Sequence, residues 1–205
     1  MSRVLIVART RMRNGRVCIG GHDLDADFRS VRLLRSDGSN MFETSPLAVG
    51  DIWAMEYRDS PGLHAPHLED VLVAKGAHVN EVERLERFLR KNTSPWRGNP
   101  RLLFDGTVAA TPSGTAYVPN KGPLPERSTG YWIPGHDLDL RSFDEKDRFV
   151  YLGGGDIERF SWVGMEDPPE SIAAGSLVRV SLARLYSPSS AQAGYYVQIS
   201  GIYRD

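Results

Sequence analysis

The chain has 205 residues, 40 % hydrophobic and 25 % charged, the composition of an ordinary folded protein rather than a disordered or fibrous one. A formal net charge of −1 gives no overall case for nucleic acid, and no apolar run approaches the ~18 residues of a membrane span. The one cysteine, Cys18, excludes an internal disulfide and fits a reducing cytoplasm, the expected location.

Met1 to Ala8 does not read as a signal peptide, because its apolar stretch is short and no small-residue cleavage site follows. Val4 to Ala8 is instead a plausible first strand, with a β-branched bias. Asn14-Gly15 is the strongest hairpin signal in the chain. It sits among Arg9, Arg11, Arg13 and Arg16, and residues 1–20 hold five arginines and no acid. Strand two then runs from Arg16 to about His22, with Cys18 as a small buried hydrophobe. Arg29 to Arg35, Asp51 to Arg58 and Leu68 to Val73 alternate or turn apolar as further strands. Asn80 opens the one convincing helix, with Glu83 at the capping-box position and an end near Lys91-Asn92.

The second half returns to β character. Leu102 to Ala109, Thr115 to Val118, Gly130 to Ile133 and Arg148 to Leu152 are expected strands, followed by Ile157 to Val163, Leu177 to Tyr186 and Tyr195 to Tyr203. Gly153-Gly-Gly-Asp156 reads as a hairpin turn, since a phosphate cradle needs a helix behind it.

Two internal echoes suggest duplication. Gly-His-Asp-Leu-Asp occurs at 21–25 and at 135–139, each time ahead of a strand-like run. Leu47-Ala-Val-Gly-Asp-Ile-Trp is answered by Ile172-Ala-Ala-Gly-Ser-Leu-Val. The expected fold class is mainly β: two tandem OB-like small barrels joined by a helix. The first spans 1–78, the helix and linker 79–100, and the second barrel 101–205.

His22 with Asp23, Asp25 and Asp27 invites a metal reading, as does His67 with Glu69 and Asp70. Adjacent strand residues point to opposite faces, however, and no metal motif is present, so an Asx-type turn explains the first group better. His67 and Glu69 read as polar residues at a strand start. With no nucleophile elbow and no P-loop, neither a catalytic residue nor a cofactor is expected, and the protein is read as a non-enzyme. A metal-dependent hydrolase is the least favoured alternative.

The basic hairpin is the most specific functional feature. A loop between the first two strands of an OB barrel is a usual nucleic-acid contact. Arg9, Arg11, Arg13 and Arg16 would meet phosphates, Arg29 and Arg32 would extend the surface, and Phe28, Trp53 or Tyr57 would stack on bases. The competing reading is that the arginines solubilise a protruding hairpin and the aromatics are core. The expected partner is single-stranded DNA or RNA. A protein-interaction adaptor is the alternative, favoured by the acidic second half: residues 103–205 hold 9 Lys+Arg against 13 Asp+Glu.

Arg-Val-Cys-Ile-Gly-Gly-His-Asp-Leu, Ser-Val-Arg-Leu-Leu, Val-Gly-Asp-Ile-Trp and Pro-His-Leu-Glu-Asp-Val, with the closing Val-Ser-Leu-Ala-Arg-Leu-Tyr and Tyr-Tyr-Val-Gln-Ile-Ser-Gly-Ile-Tyr, resemble a bacterial family, the dual OB-fold-containing domain. The resemblance spans nearly the whole chain and implies two OB-like barrels without known catalytic residues. It also implies nucleic-acid recognition in bacterial defence or conflict systems, and a possible protein partner from a defence operon. It assigns no residue-level site.

Overall fold

The computed structural model describes residues 1–143, 146–157, 159–187 and 193–205. In the first half, β1 (Ser2–Arg11) and β2 (Arg16–Asp23) form a hairpin, followed by β3 (Arg29–Arg35), the short β4 (Met41–Phe42), β5 (Asp51–Asp59) and β6 (Asp70–Glu81). Pairing runs β1–β2–β3–β6–β5 and back to β1, which closes a five-stranded barrel. The β3–β6 pair is parallel and the other four are antiparallel, as in an OB fold. Val4 and Ile6 of β1, Val17 and Ile19 of β2, Val31 and Leu33 of β3 and Met55 of β5 fill its core.

The second half contains β7 (Trp96–Gly98), a 3₁₀ segment (Pro100–Gly106), β8 (Ala109–Ala110), β9 (Ala116–Pro119), β10 (Thr129–Pro134), β11 (Leu138–Phe143), β12 (Lys146–Tyr151), β13 (Arg159–Trp162), β14 (Ser171–Ile172), β15 (Leu177–Leu182) and β16 (Gly194–Tyr203). Hydrogen bonding runs β11–β12–β13–β16–β15–β10. Because β10 and β11 are two halves of one chain segment bent at Gly135–Asp137, this path is again the OB order, with the bent strand serving both ends. Trp132, Phe149 and Phe160 are fully buried at its centre.

The barrels meet along a third apolar cluster. β1 is a continuous apolar run because both of its faces are buried: Leu5 and Val7 turn away from the first core and pack with Tyr131, Ile133, Leu177 and Tyr203. The helix α1 (Leu85–Asn92) sets Leu89 into the same cluster.

Several expectations are corrected. Asn80 does not cap a helix. It pairs with Ile52 in the β5–β6 ladder, which continues to Glu81, and α1 begins at Leu85 without a side-chain cap from Arg84. Its first free amides, those of Glu86 and Arg87, donate to the Asp205 carboxylate instead, a cap no local pattern reveals. Leu102–Ala109 is largely the 3₁₀ segment, opened by Pro100 and by Asn99, whose side chain accepts from the Arg101 amide. Ile157 to Val163 contains β13, apart from Glu158, which lies outside the described residues. Cys18 is half-exposed: Val17 and Ile19 take the inward positions of β2, so the alternation turns the thiol outward.

The two echoes fare differently. The first Gly-His-Asp-Leu-Asp ends the second strand of its barrel, whereas the second copy makes the bend inside the first strand of the other. They are not equivalent points. The turn before the fourth strand is equivalent. Gly50 (φ 99°) and Gly175 (φ 83°) both take left-handed backbone, and their amides donate to the first strand of each barrel, at Ile6 and Pro134, both at 2.9 Å.

Candidate nucleic-acid interface

The β1–β2 hairpin turns through Asn14 (φ 60°) and Gly15 (φ 64°), the paired left-handed residues of a type I′ turn. The hairpin tip, residues 11–15, is exposed, but the hairpin is anchored along one side. Its outer edge lies on the second barrel, where the Arg11 amide donates to the Val163 carbonyl at 2.9 Å and the Arg11 guanidinium to the Met165 carbonyl at 2.5 Å. Between the two barrels this leaves a cleft of about 620 Å³, lined by Arg11, Met12, Arg13, Arg16, Asn40 and Trp162, with the Val163-Gly164 backbone. Among the described residues no carboxylate lines it. Trp162 is fixed by donating to the Glu166 carbonyl at 2.9 Å, and its ring packs so closely on Gly164 that a Cβ there would come within 2.2 Å.

Arg16 donates to the Asn40 carbonyl at 2.9 Å and lies 3.9 Å from the Phe42 ring centre, with Arg35 4.7 Å from the same ring. Phe42 is 46 % exposed between them. Among the described residues Arg13 has neither ion pair nor hydrogen bond, so its charge is available at the mouth of the cleft.

The other residues singled out in the sequence lie elsewhere. Arg9 is a clamp, donating to the carbonyls of Glu43, Ser45 and Leu47 at 2.6–2.8 Å. Arg29 pairs with Asp59 at the surface, and Arg32 with buried Asp70. Phe28 stacks on His22 with ring centres 4.2 Å apart. Trp53 and Tyr57 share the inward face of β5 with Met55 and pack on the first core. The Tyr57 hydroxyl donates to Asp23, and burial, then that carboxylate, pushes its pKa up to about 12. The structure therefore brings Arg11, Arg13 and Arg16 together and keeps Phe28, Trp53 and Tyr57 away from them. The rings that accompany the hairpin are Phe42 and Trp162. Phe42 follows a turn with no periodicity to mark it, and Trp162 arrives from some 150 positions away, so neither carried a local signal.

The outer face of β2 and β3 in the first barrel is closed. Arg179 of β15 lies across Gly20, where a Cβ would sit 2.6 Å from its Nη2. The Tyr131 hydroxyl donates to His22 Nε2 at 2.8 Å, which requires Nδ1 to carry the proton and donate to the Phe28 carbonyl at 3.0 Å. His67 and Glu69, expected at a solvent-facing strand start, are 5 % and 7 % exposed in this seam. Glu69 accepts from the Ser128 amide and hydroxyl at 2.5 and 2.9 Å. Burial pushes the pKa values of His22 and His67 down to about 4, and that of Glu69 up. Asp23 accepts from the Asp25 amide, the expected Asx turn, and Asp25 pairs with Arg3. Among the described residues no group of three or more His, Cys, Asp or Glu could hold a metal ion.

Two OB barrels joined by a buried seam, with a basic cleft where the hairpin meets the second barrel, define a tandem OB-fold protein. The chain belongs to the dual OB-containing domain family, whose model matches residues 2–202. No curated protein and no solved structure matches the chain. Among the described residues no helix is long and apolar enough to cross a membrane.

Proposed function

We propose that this protein is a non-enzymatic, cytoplasmic binder of single-stranded nucleic acid, and that the strand lies in the cleft between the hairpin of the first barrel and Trp162 of the second. One observation carries this reading: three guanidiniums and an indole line a cleft of about 620 Å³ to which, among the described residues, no carboxylate contributes. Guanidiniums suit phosphates because their planar fork donates bidentately, and exposed rings suit bases because every base has a π-face. The two histidines with strongly lowered pKa, His22 and His67, are buried in the seam and do not open on the cleft, which supports binding over catalysis there. A bacterial defence or conflict system, implied by the family resemblance, is the setting of this proposal.

The test is fluorescence anisotropy with DNA and RNA oligonucleotides across a salt series. Each phosphate contact contributes about 0.7 to the logarithmic salt slope for a single strand. Arg11→Ala/Arg13→Ala should flatten that slope by about 1.4, and Trp162→Leu should weaken binding by ~1–3 kcal/mol with the slope unchanged. Wild-type affinity in the double-arginine variant would sink the assignment. Nuclease-insensitive recovery of a single protein from host extract, with no oligonucleotide binding, would favour a protein adaptor instead.

A further inference from the structure

A second feature lies deeper in the seam. A cavity of about 90 Å³, several times what one water needs, is bounded by Arg32, Arg179, Arg184, Cys18, Ser181 and Gln198. Its charges do not balance. Arg32 and Arg184 share one carboxylate oxygen, Asp70 Oδ2. Arg179 is 7 % exposed and has no carboxylate partner among the described residues; its Nη1 donates to the Ser200 hydroxyl at 2.9 Å. Glu69, the other acid at the cavity, has both oxygens taken by Ser128 and is held toward its neutral form by burial. Nearby His22 is neutral at pH 7, held so by burial and then by Arg179 itself. Among the described residues the three guanidiniums face at most two carboxylates; Arg184 is 57 % exposed, so the unbalanced buried charge is that of Arg179. Among the described residues Arg32 Nε is buried with no hydrogen-bond acceptor, and Asp70 Oδ1 is buried with no donor. Surplus positive charge in a closed interface is costly unless an anion joins it.

We propose that this cavity is a seat for a phosphate group, held between the guanidiniums of Arg179, Arg32 and Arg184. A tetrahedral oxyanion fits the size of the cavity, matches the fork geometry of arginine, and supplies the acceptors that Arg32 and Arg179 lack. The phosphate has two possible sources. One is free inorganic phosphate, which would act as a clamp between the barrels. The other is the terminal phosphate of a strand in the hairpin cleft, since Met12 lines both spaces. The seat stands on the charge of the seam alone. Only its use by a strand end rests on the nucleic-acid reading.

Cys18 borders the cavity and is the chain's one cysteine, so it reports occupancy directly. The experiment titrates inorganic phosphate against the full-length protein at constant ionic strength, with chloride as the control. It reads the rate of Cys18 alkylation by an uncharged maleimide together with the melting temperature. The expected result is saturable protection of Cys18, by about tenfold or more, and a melting temperature that rises in phosphate but not in chloride. Arg184→Gln removes a guanidinium that is largely solvent-facing and should leave the fold intact. It should raise the midpoint phosphate concentration roughly ten- to a hundredfold, the effect of losing one charge-assisted hydrogen bond. Arg179→Gln should abolish the protection. A 5′-phosphorylated oligonucleotide that binds more tightly than its 5′-hydroxyl twin, with the difference lost in Arg184→Gln, identifies the strand end as source. Equal binding of the two, with phosphate protection intact, identifies the free ion. If phosphate changes neither the alkylation rate nor the melting temperature, the seat is overturned. Oligonucleotide binding in that same preparation would show that the cleft stands without it.

Discussion

At the residue scale, His22 shows what one side chain settles. Nδ1 must donate to the Phe28 carbonyl, and because burial keeps the ring neutral, Nε2 accepts from the Tyr131 hydroxyl. It also stacks on the Phe28 ring, which two successive left-handed residues, Asp27 (φ 50°) and Phe28 (φ 57°), bring into place, a conformation costing ~1–2 kcal/mol per residue. The native pKa of about 4 lies below the ordinary 6.5. Above pH 6.5 the native and unfolded rings are both neutral. As pH falls from 6.5 to 4 the unfolded ring binds a proton that the native ring refuses, and stability declines. Below the native value the loss is of the order of 3 kcal/mol. Urea unfolding at pH 7 and pH 4 should therefore show a smaller acid loss in His22→Gln than in the wild type, by about that amount. Equal losses would mean that His22 is not the group that titrates. His22 and Asp23 were visible in the sequence as a polar turn. What could not be read was the partner, Tyr131, because hydrogen bonding over 109 residues leaves no periodic trace.

At the element scale, alternation was a good guide wherever a strand has one clear inward face. Arg29–Arg35 and Asp51–Asp59 lie where the pattern of period two placed them, and Asn14-Gly15 makes its turn. Expectation failed where a longer-range contact outweighs a local preference. Asn80 is a good cap, but its ladder pairing with Ile52 holds it in a strand. The repeated pentapeptide misled for another reason: a polar bend of this composition serves any place where a strand must turn, so its recurrence does not mark a common position. The Ala-x-Gly turn does mark one, because its function is specific. It must present an amide to the first strand while the chain reverses, and that requires positive φ. Gly50→Ala and Gly175→Ala should each lower stability by about 1–2 kcal/mol, the left-handed penalty for a residue with a Cβ. Neither glycine has an atom near enough for a steric clash to be the main cause: none is found within 4 Å of a Cβ at either position. Urea midpoints measure both, and an unchanged midpoint would show that the turn has another accessible geometry.

At the whole-molecule scale, the seam decides how the protein behaves. Net charge near neutrality concealed how differently the arginines are used: Arg3 and Arg29 are ion-paired at the surface, Arg32 and Arg179 lie in the seam, and Arg11 and Arg13 face the cleft. The face of β2 and β3 expected to meet ligand is instead the face that joins the barrels, so the site proposed above lies at the hairpin's outer edge, where both barrels contribute. Such packing makes the two barrels one cooperative unit. Leu5 and Val7 of the first barrel, Leu177 and Tyr203 of the second, and Leu89 of the helix share one cluster, and the Tyr203 hydroxyl donates to the Val7 carbonyl at 2.7 Å. Neither barrel can open without exposing this surface. Native-state hydrogen exchange tests the point, because amides that require global unfolding report one common free energy. The buried strand amides of Ile19 and Leu33 in the first barrel should match those of Phe149 and Val180 in the second. Leu177→Ala removes a fully buried side chain on the second barrel's side of the seam, at a cost of ~2–5 kcal/mol. If the barrels are coupled, protection falls by the same amount at Ile19 and Leu33 as at Phe149 and Val180. If only the second barrel's amides exchange faster, each barrel unfolds alone, and a strand bound between them would be held by two independent bodies rather than by one rigid cleft.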